Sequence, residues 1–272
     1  MTPFPPFQAR PLEPSVRAQA QELAESAGVH GIYVANALAL EQGEAVLCWG
    51  AERLLGCLWF GPRGNLVIIE REPLRPDAVA DAVQGSRWPW RIVLGPGPTV
   101  DALAGRLTGR PLVHRDQVYH GCAPEAARRP PERFEVREAR AEDRKLLMTA
   151  TLELNHTDLG VEPRRVDRRW LREMVDSRIR EGSVLVHGEL GAVQTKVDLG
   201  SRGHAGLMLE GVFTFPEVRG LGLASALVGR VAASAVEPYV CLHVDADNAP
   251  ARAAYERAGL TEVGRCRLLL SG

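Results

Sequence analysis

At 272 residues the chain is long enough for two domains that each bury a core, and 45% hydrophobic with 25% charged residues is the composition of a globular rather than a disordered protein. A formal net charge of −1 excludes a broad basic surface for nucleic acid or anionic membrane, and no apolar run approaches the roughly 20 residues of a membrane helix. Only Lys145 and Lys196 of the 33 basic residues are lysines, and the acidic residues balance the total, so the arginine excess reads as composition and not as an RNA- or DNA-binding device.

In chain order, residues 1–7 have neither a basic nor an apolar leader pattern, which predicts a cytoplasmic protein. A helix is expected at 14–26, strands at 44–49, 53–60 and 65–71, a helix at 76–84, a strand at 90–94, a helix at 99–107 and a strand at 111–120. The polar, proline-rich stretch that follows reads as a linker over 124–132, dividing a domain at 1–123 from one at 133–272. Beyond it, 134–139 alternates as a strand, 141–156 and 165–180 are helical, and 183–190 and 191–199 form two strands about a Gly turn. A strand at 205–215, a helix at 222–236, a strand at 239–245, a helix after Asn248 and a strand near 262–270 complete the chain. The five cysteines, Cys48, Cys57, Cys122, Cys241 and Cys266, are scattered without a CxxC pair or zinc spacing. They read as buried small hydrophobes in a reducing compartment, and no metal is expected.

The most informative stretch is 216–225. Pro216 cannot donate to a sheet ladder and ends the strand of 207–215, and the Ala/Leu/Val pattern after Gly222 starts a helix. The glycine-rich turn therefore lies at a helix N-terminus, where free N–H groups and the helix dipole attract anions. Gly220 and Gly222 admit a ligand close to the main chain, and Arg219 adds a fixed charge. The third small residue of a dinucleotide fingerprint is only half met by Ser225, and no Gly-Lys-Ser/Thr follows as in a P-loop.

Arg219-x-x-Gly222-x-Ala224 resembles the R/Q-x-x-G-x-G/A signature of the GNAT superfamily of acyl-CoA-dependent N-acyltransferases. Asn248-x-x-Ala251-x-x-x-Tyr255-x-x-x-Gly259-Leu260 resembles its second signature, with Leu260 where an aromatic residue is usual. The resemblance implies an α/β GNAT fold, with a mixed, mostly antiparallel central sheet flanked by helices. It also implies acetyl-CoA as co-substrate, bound through the N–H groups of Gly220, Leu221, Gly222, Leu223 and Ala224, with Arg219 beside them. The strand edge of Val212, Phe213 and Thr214 would hold pantetheine, and one N–H at a bulge there would polarise the thioester carbonyl. Tyr255 would be the general acid on sulfur, although a tyrosine packed on a helix face fits the same spacing. Asn248 would bind pantetheine, cap the helix, or do both.

For the base, Glu210 precedes Val212 by two, and strand alternation puts both on one face, toward the cleft. A charge at a strand's exposed end is an equal reading, and Glu153, His156 and Asp158 compete for the role. His187, His204 and His243 read as structural. Acceptor recognition falls to Asn155-His156-Thr157-Asp158 and to the arginines 164, 165, 168 and 169, which also read as a solvated helix face.

The elements upstream of residue 123 parallel this order and suggest a degenerate GNAT-like half, giving two tandem GNAT-like domains. Its strand-to-helix junction, Gly95-Pro96-Gly97-Pro98-Thr99, has two prolines with no N–H to offer an anion. The expected activity is acetyl transfer from acetyl-CoA to a primary amine of a small molecule, in a protein that leaves room for a homodimer. A CoA-sensing or scaffolding module that retains the fold but transfers poorly is the alternative.

Overall fold

The structure, a computed structural model, describes residues 7–62, 64–107 and 111–271. The opening residues read for a leader, 1–6, lie outside the described residues. The chain is an α/β fold in two compact units, Met1–Val118 with Gly264–Gly272, and Tyr119–Val263. The division falls between Val118 and Tyr119, ahead of the boundary expected at residue 123.

Unit 1 contains β1 (Phe7–Pro11), α1 (Arg17–Ser26), α2 (Ile32–Ala39), β2 (Glu44–Gly50), β3 (Arg53–Phe60), β4 (Asn65–Glu70), α3 (Pro76–Gly85), β5 (Ile92–Gly95), α4 (Gly97–Leu107) and the start of β6 (Val113–Cys122). Strands β1 to β4 are consecutive antiparallel neighbours, β4 and β5 run parallel, and residues 267–270 lie antiparallel to β5. Alternate strand residues Val46, Leu58, Phe60, Leu66 and Ile68 pack against Val79 and Val83 of α3 and Val100 and Leu103 of α4. Burial of each such side chain contributes about 1.5–3 kcal/mol. Two elements escaped sequence reading for opposite reasons. Helix α2 is buried along Ile32 to Leu38 and so has no polar face to give a period. Strand β1 is a short edge strand with Pro11 at its end. Glycine is required at position 31, because a Cβ there would lie 1.8 Å from the Ala24 carbonyl oxygen.

At the β5-to-α4 junction the protein supplies its own anion. The Thr99 hydroxyl donates to Glu70 Oε2 at 2.8 Å, and the same oxygen accepts from the Leu74 N–H at 3.3 Å. With Pro96 and Pro98 contributing no N–H, the first turn of α4 has a carboxylate beside it and little left to offer a phosphate.

Unit 2 continues with the end of β6, then β7 (Arg137–Glu138), α5 (Arg144–Leu159), α6 (Arg168–Arg180), β8 (Val184–Glu189), β9 (Ala192–Gly203), β10 (Gly206–Thr214), α7 (Leu223–Ala233), β11 (Val240–Asp245), α8 (Ala249–Arg257) and the start of β12 (Thr261–Leu270). Strands β7 to β10 are consecutive antiparallel neighbours, and β10 runs parallel to β11. Sheet alternation sorts the core into two layers. Val184, Val186 and Val193 pack with Leu147 of α5 and Leu171 and Val175 of α6. Val197, Leu207, Leu209 and Leu242 pack with Leu227 of α7 and Tyr255 of α8.

Two expectations need correction. The strand foreseen at 134–139 shrinks to Arg137 and Glu138, because Phe134 leaves the strand line to stack on His187 at 4.0 Å and its N–H closes a turn on the Pro131 carbonyl. The stretch foreseen as a linker is packed in unit 2: the Arg128 N–H donates to the Ala258 carbonyl at 2.8 Å, and Arg129 reaches the Ala233 carbonyl at 3.2 Å. Proline keeps this segment out of a sheet but does not keep it from packing. Gly229 makes room for it, since a Cβ there would lie 2.3 Å from the Arg128 oxygen.

Candidate functional site

Strands β10 and β11 pair only through Leu207 with Val240 and Met208 with Cys241, while β10 runs on to Thr214. The two strands therefore part after their first residues, and beyond Met208 the ladder between them does not continue among the described residues. Pro216 starts one tight turn, and the chain passes Gly220 (φ +81°) and Gly222 (φ +78°) into α7. Both glycines hold left-handed conformations that other residues enter at a cost of about 1–2 kcal/mol, and a Cβ on either would meet nothing within 4 Å. Val218 and Arg219 donate back to the Phe215 and Pro216 oxygens, and beyond them the next N–H with a main-chain acceptor is that of Ala226, to the Gly222 oxygen at 3.0 Å. The N–H groups of residues 220–225 thus remain as donors around open space at the start of an 11-residue helix. This donor set fits a diphosphate.

Arg219 does more than add charge. Its Nε donates to the Thr214 carbonyl at 2.9 Å and its guanidinium lies 5.6 Å from the centre of the Phe213 ring, so it fastens the loop to the end of β10. The Phe213 carbonyl accepts from the Thr195 hydroxyl at 2.9 Å. Gly222→Val adds a branched side chain in a left-handed position and fills the open space. Affinity for a diphosphate-bearing probe, CoA, by isothermal titration is expected to fall by about tenfold or more, equivalent to about 1.4 kcal/mol, if the loop is an anion site.

The register of β9 against β10 slips by one residue between the pairs Glu210 with Asp198 and Phe213 with Lys196, and Gly211 takes φ +54° in the bulge. This overturns the placement of Glu210 and Val212 on one face. The inserted residue breaks the two-residue alternation, so Val212 packs in the α7/α8 layer while Glu210 meets Arg178 of α6, its Oε2 3.8 Å from the guanidinium. The Glu210 carboxylate lies over Gly200 of β9, where a Cβ would be 2.6 Å away.

Beside it stand three residues that sequence reading did not single out for chemistry. Lys196 Nζ donates to Asp198 Oδ1 at 2.6 Å, and the other Asp198 oxygen accepts from Arg178. Lys196 and Asp198 are 2% and 4% exposed, so this ionic cluster is core. Burial pushes the Lys196 ammonium below its ordinary value, and Asp198 opposes the shift. The available signal was a lysine alternating with an aspartate in an apolar strand, in a chain with one other lysine.

Asn248 caps α8, its Oδ1 accepting from the Ala251 N–H at 3.2 Å. Tyr255, 6% exposed, lies in the α7/α8 layer with its ring edge toward His120 at 6.0 Å between centroids. Burial raises the phenol above its ordinary value, and the negative charge of Asp158, at the end of α5, raises it further. The hydroxyl is therefore protonated throughout the neutral range. Glu153 and His156 share that last part of α5 with Asp158. Arg164 and Arg165 sit in the turn before α6, and Arg168 and Arg169 in its first turn, where Arg169 pairs with Glu173 at 3.0 Å. His187 Nδ1–H donates to the Glu135 carbonyl oxygen at 2.7 Å, and His243 meets the Tyr119 ring edge at 5.6 Å. Among the described residues no group of three His, Cys, Asp or Glu side chains could hold a metal ion. A groove of about 1120 Å³ lies elsewhere in unit 2, lined by Phe134, Arg137, His187, Arg202 and Arg230 among others, and it includes neither the loop of 216–225 nor Tyr255.

Residues 182–260 match the family model described as the acetyltransferase (GNAT) family. No curated protein matches the sequence. Among solved structures, a GNAT-family acetyltransferase from Colwellia psychrerythraea is 12% identical with a TM-score of 0.54, over 97% of this chain and 100% of that one. A GCN5-related N-acetyltransferase from Sphaerobacter thermophilus is 19% identical with a TM-score of 0.55, over 97% and 96%. A tandem GNAT protein from the clavulanic acid biosynthesis pathway is 13% identical with a TM-score of 0.51, over 97% and 98%. At these identities the likeness is one of fold.

Proposed function

We propose, from the match of residues 182–260 to the acetyltransferase (GNAT) family model, that the chain transfers acetyl from acetyl-CoA to a primary amine of a small molecule by direct attack. The observation that carries this reading is the set of N–H donors at residues 220–225 facing open space, set at the mouth where β10 parts from β11. Acetyl-CoA, when bound, supplies an acyl thioester. Residues Gly220, Leu221, Gly222, Leu223 and Ala224 hold its diphosphate through main-chain N–H groups, with Arg219 keeping the loop in place. The edge of Val212, Phe213 and Thr214 lies along pantetheine, and Asn248 sets the start of α8 at the same mouth.

A main-chain N–H at the bulge polarises the thioester carbonyl, which is worth about 10²–10³ in rate for one such donor. Glu210, with about a third of its side chain in water, accepts the proton of the incoming ammonium through a water molecule. As the C–N bond forms and the C–S bond breaks, the Tyr255 hydroxyl gives its proton to the thiolate. Thiol release from acetyl-CoA with a panel of primary amines, alongside calorimetric titration with CoA, tests the reading. Binding in the range of about 1 μM to 1 mM with amine-dependent thiol release is expected, and absence of both defeats it.

One observation favours a second reading. Glu210 is turned toward Arg178 and Gly200 and away from Val212, which suits a CoA-binding module with weak transfer. Binding without amine-dependent thiol release would select it.

A further inference from the structure

The ionic cluster of Lys196, Asp198 and Arg178 stands at the bulge of β10. Lys196 and Asp198 are the two residues of β9 that pair with Phe213 and Glu210, and the bulge is the extra residue between those partners. Their 2.6 Å ion pair therefore runs along β9 directly opposite the insertion. The main chain of the bulge rests on it: a Cβ added to Gly211 would lie 2.7 Å from Asp198 Oδ2 and 3.0 Å from Lys196 Nζ. Arg178, reaching in from α6, holds the second Asp198 oxygen and comes within 3.8 Å of Glu210. Glycine at 211 is doubly required, by its φ of +54° and by the charged atoms against its Cα.

A buried ion pair is a poor source of stability, because taking two charges out of water offsets most of their attraction, and apolar side chains of like volume often do as well. What such a pair does provide is fixed geometry. Its atoms are short-bonded and directional, and its position against Gly211 fixes how far residues 211 and 212 swing out of the ladder.

We propose that the Lys196–Asp198 ion pair, anchored by Arg178, is a positioning device for acyl transfer that sets the β10 bulge and thereby aims the main-chain N–H that polarises the thioester. The proposal rests on the acetyltransferase reading above. Neither side chain touches the reacting atoms; both act through the main chain of residues 211 and 212. Replacing Lys196 by an apolar side chain leaves Asp198 held by Arg178 alone and frees the bulge to relax.

The test combines kinetics with amide NMR on the full chain. Lys196→Met is expected to lower kcat by about tenfold, part of the effect of losing one such donor, while KM for acetyl-CoA and the calorimetric Kd for CoA stay within about twofold. Lys196→Arg, which can still pair with Asp198, is expected to recover most of the loss. In ¹⁵N spectra the Gly211 and Val212 amides of Lys196→Met are expected to shift before any ligand is added, and the Val212 amide to respond less to acetyl-CoA than in the wild type. A kcat within twofold of wild type with unmoved amides overturns the proposal, as does a kcat loss matched by an equal loss of CoA affinity. Should Lys196→Met not fold, the near-isosteric Asp198→Asn takes its place with the same expected outcomes. A wild type that fails to bind acetyl-CoA defeats the acetyltransferase reading instead, and the ligand-free amide shifts then decide the positioning role alone.

Discussion

Tyr255→Phe is expected to lower kcat for acetyl transfer by about 10²-fold, the lower end of what a positioned acid contributes, with CoA affinity unchanged. The substitution deletes one hydroxyl and keeps the ring that fills the layer with Leu209, Leu242 and Leu227, so packing is preserved. Its surroundings keep the acid in its protonated form. Burial and the Asp158 carboxylate both hold the proton on oxygen at neutral pH. Those same forces make the phenolate costly, so the proton given to the thiolate is recovered quickly from water or from the departing acceptor proton. Parallel loss of kcat and kcat/KM, with KM for acetyl-CoA unmoved, is the signature of an interaction made only as sulfur leaves. Turnover within threefold of wild type would reduce Tyr255 to a packed core residue, the other reading its spacing allows.

The contrast between what the sequence discloses and what it hides follows from the range of the forces involved. The glycine turn into α7 was legible because its signals are local: a proline that ends a strand, two glycines with positive φ and an apolar helix pattern all lie between Pro216 and Ala233. The cap at Asn248 and the place of Tyr255 on the helix it starts were legible because local spacing fixes both. The bulge was hidden, since a one-residue slip depends on which residue of β9 faces which of β10, and alternation alone placed Glu210 beside Val212. The ionic cluster was hidden for the same reason. Arg178, Lys196 and Asp198 come from α6 and β9, and only the fold brings their charges against Gly211. In unit 1 the elements other than β1 and α2 could be read, but the carboxylate of Glu70 beside Thr99, which takes the place where an anion would be bound, could not.

The second large effect is on stability and comes from Asp143, at the start of α5. Its side chain has no exposure and accepts from four donors: Arg137 through both terminal nitrogens at 2.7 and 3.0 Å, the Arg140 N–H at 2.9 Å and the Gly191 N–H at 2.9 Å. These bonds tie β7, the first turn of α5 and the β8–β9 turn to one carboxylate. Burial alone would push its pKa up, but Arg137 and the two N–H groups outweigh burial and hold it below the ordinary carboxylate value. Because the folded-state pKa is the lower one, the stabilisation is complete above the unfolded value of about 3.9 and is lost as pH falls through the folded value. Asp143→Ala removes the acceptor and leaves Arg137, 28% exposed, and two N–H groups without it. The expected loss at pH 7 is about 3 kcal/mol, in the range for breaking a largely buried pair. Urea unfolding of wild type and variant at pH 7, 5 and 3 checks both parts. The difference should hold between pH 7 and 5 and shrink by pH 3, whereas a gap that does not depend on pH would show that shape and not charge is what Asp143 provides.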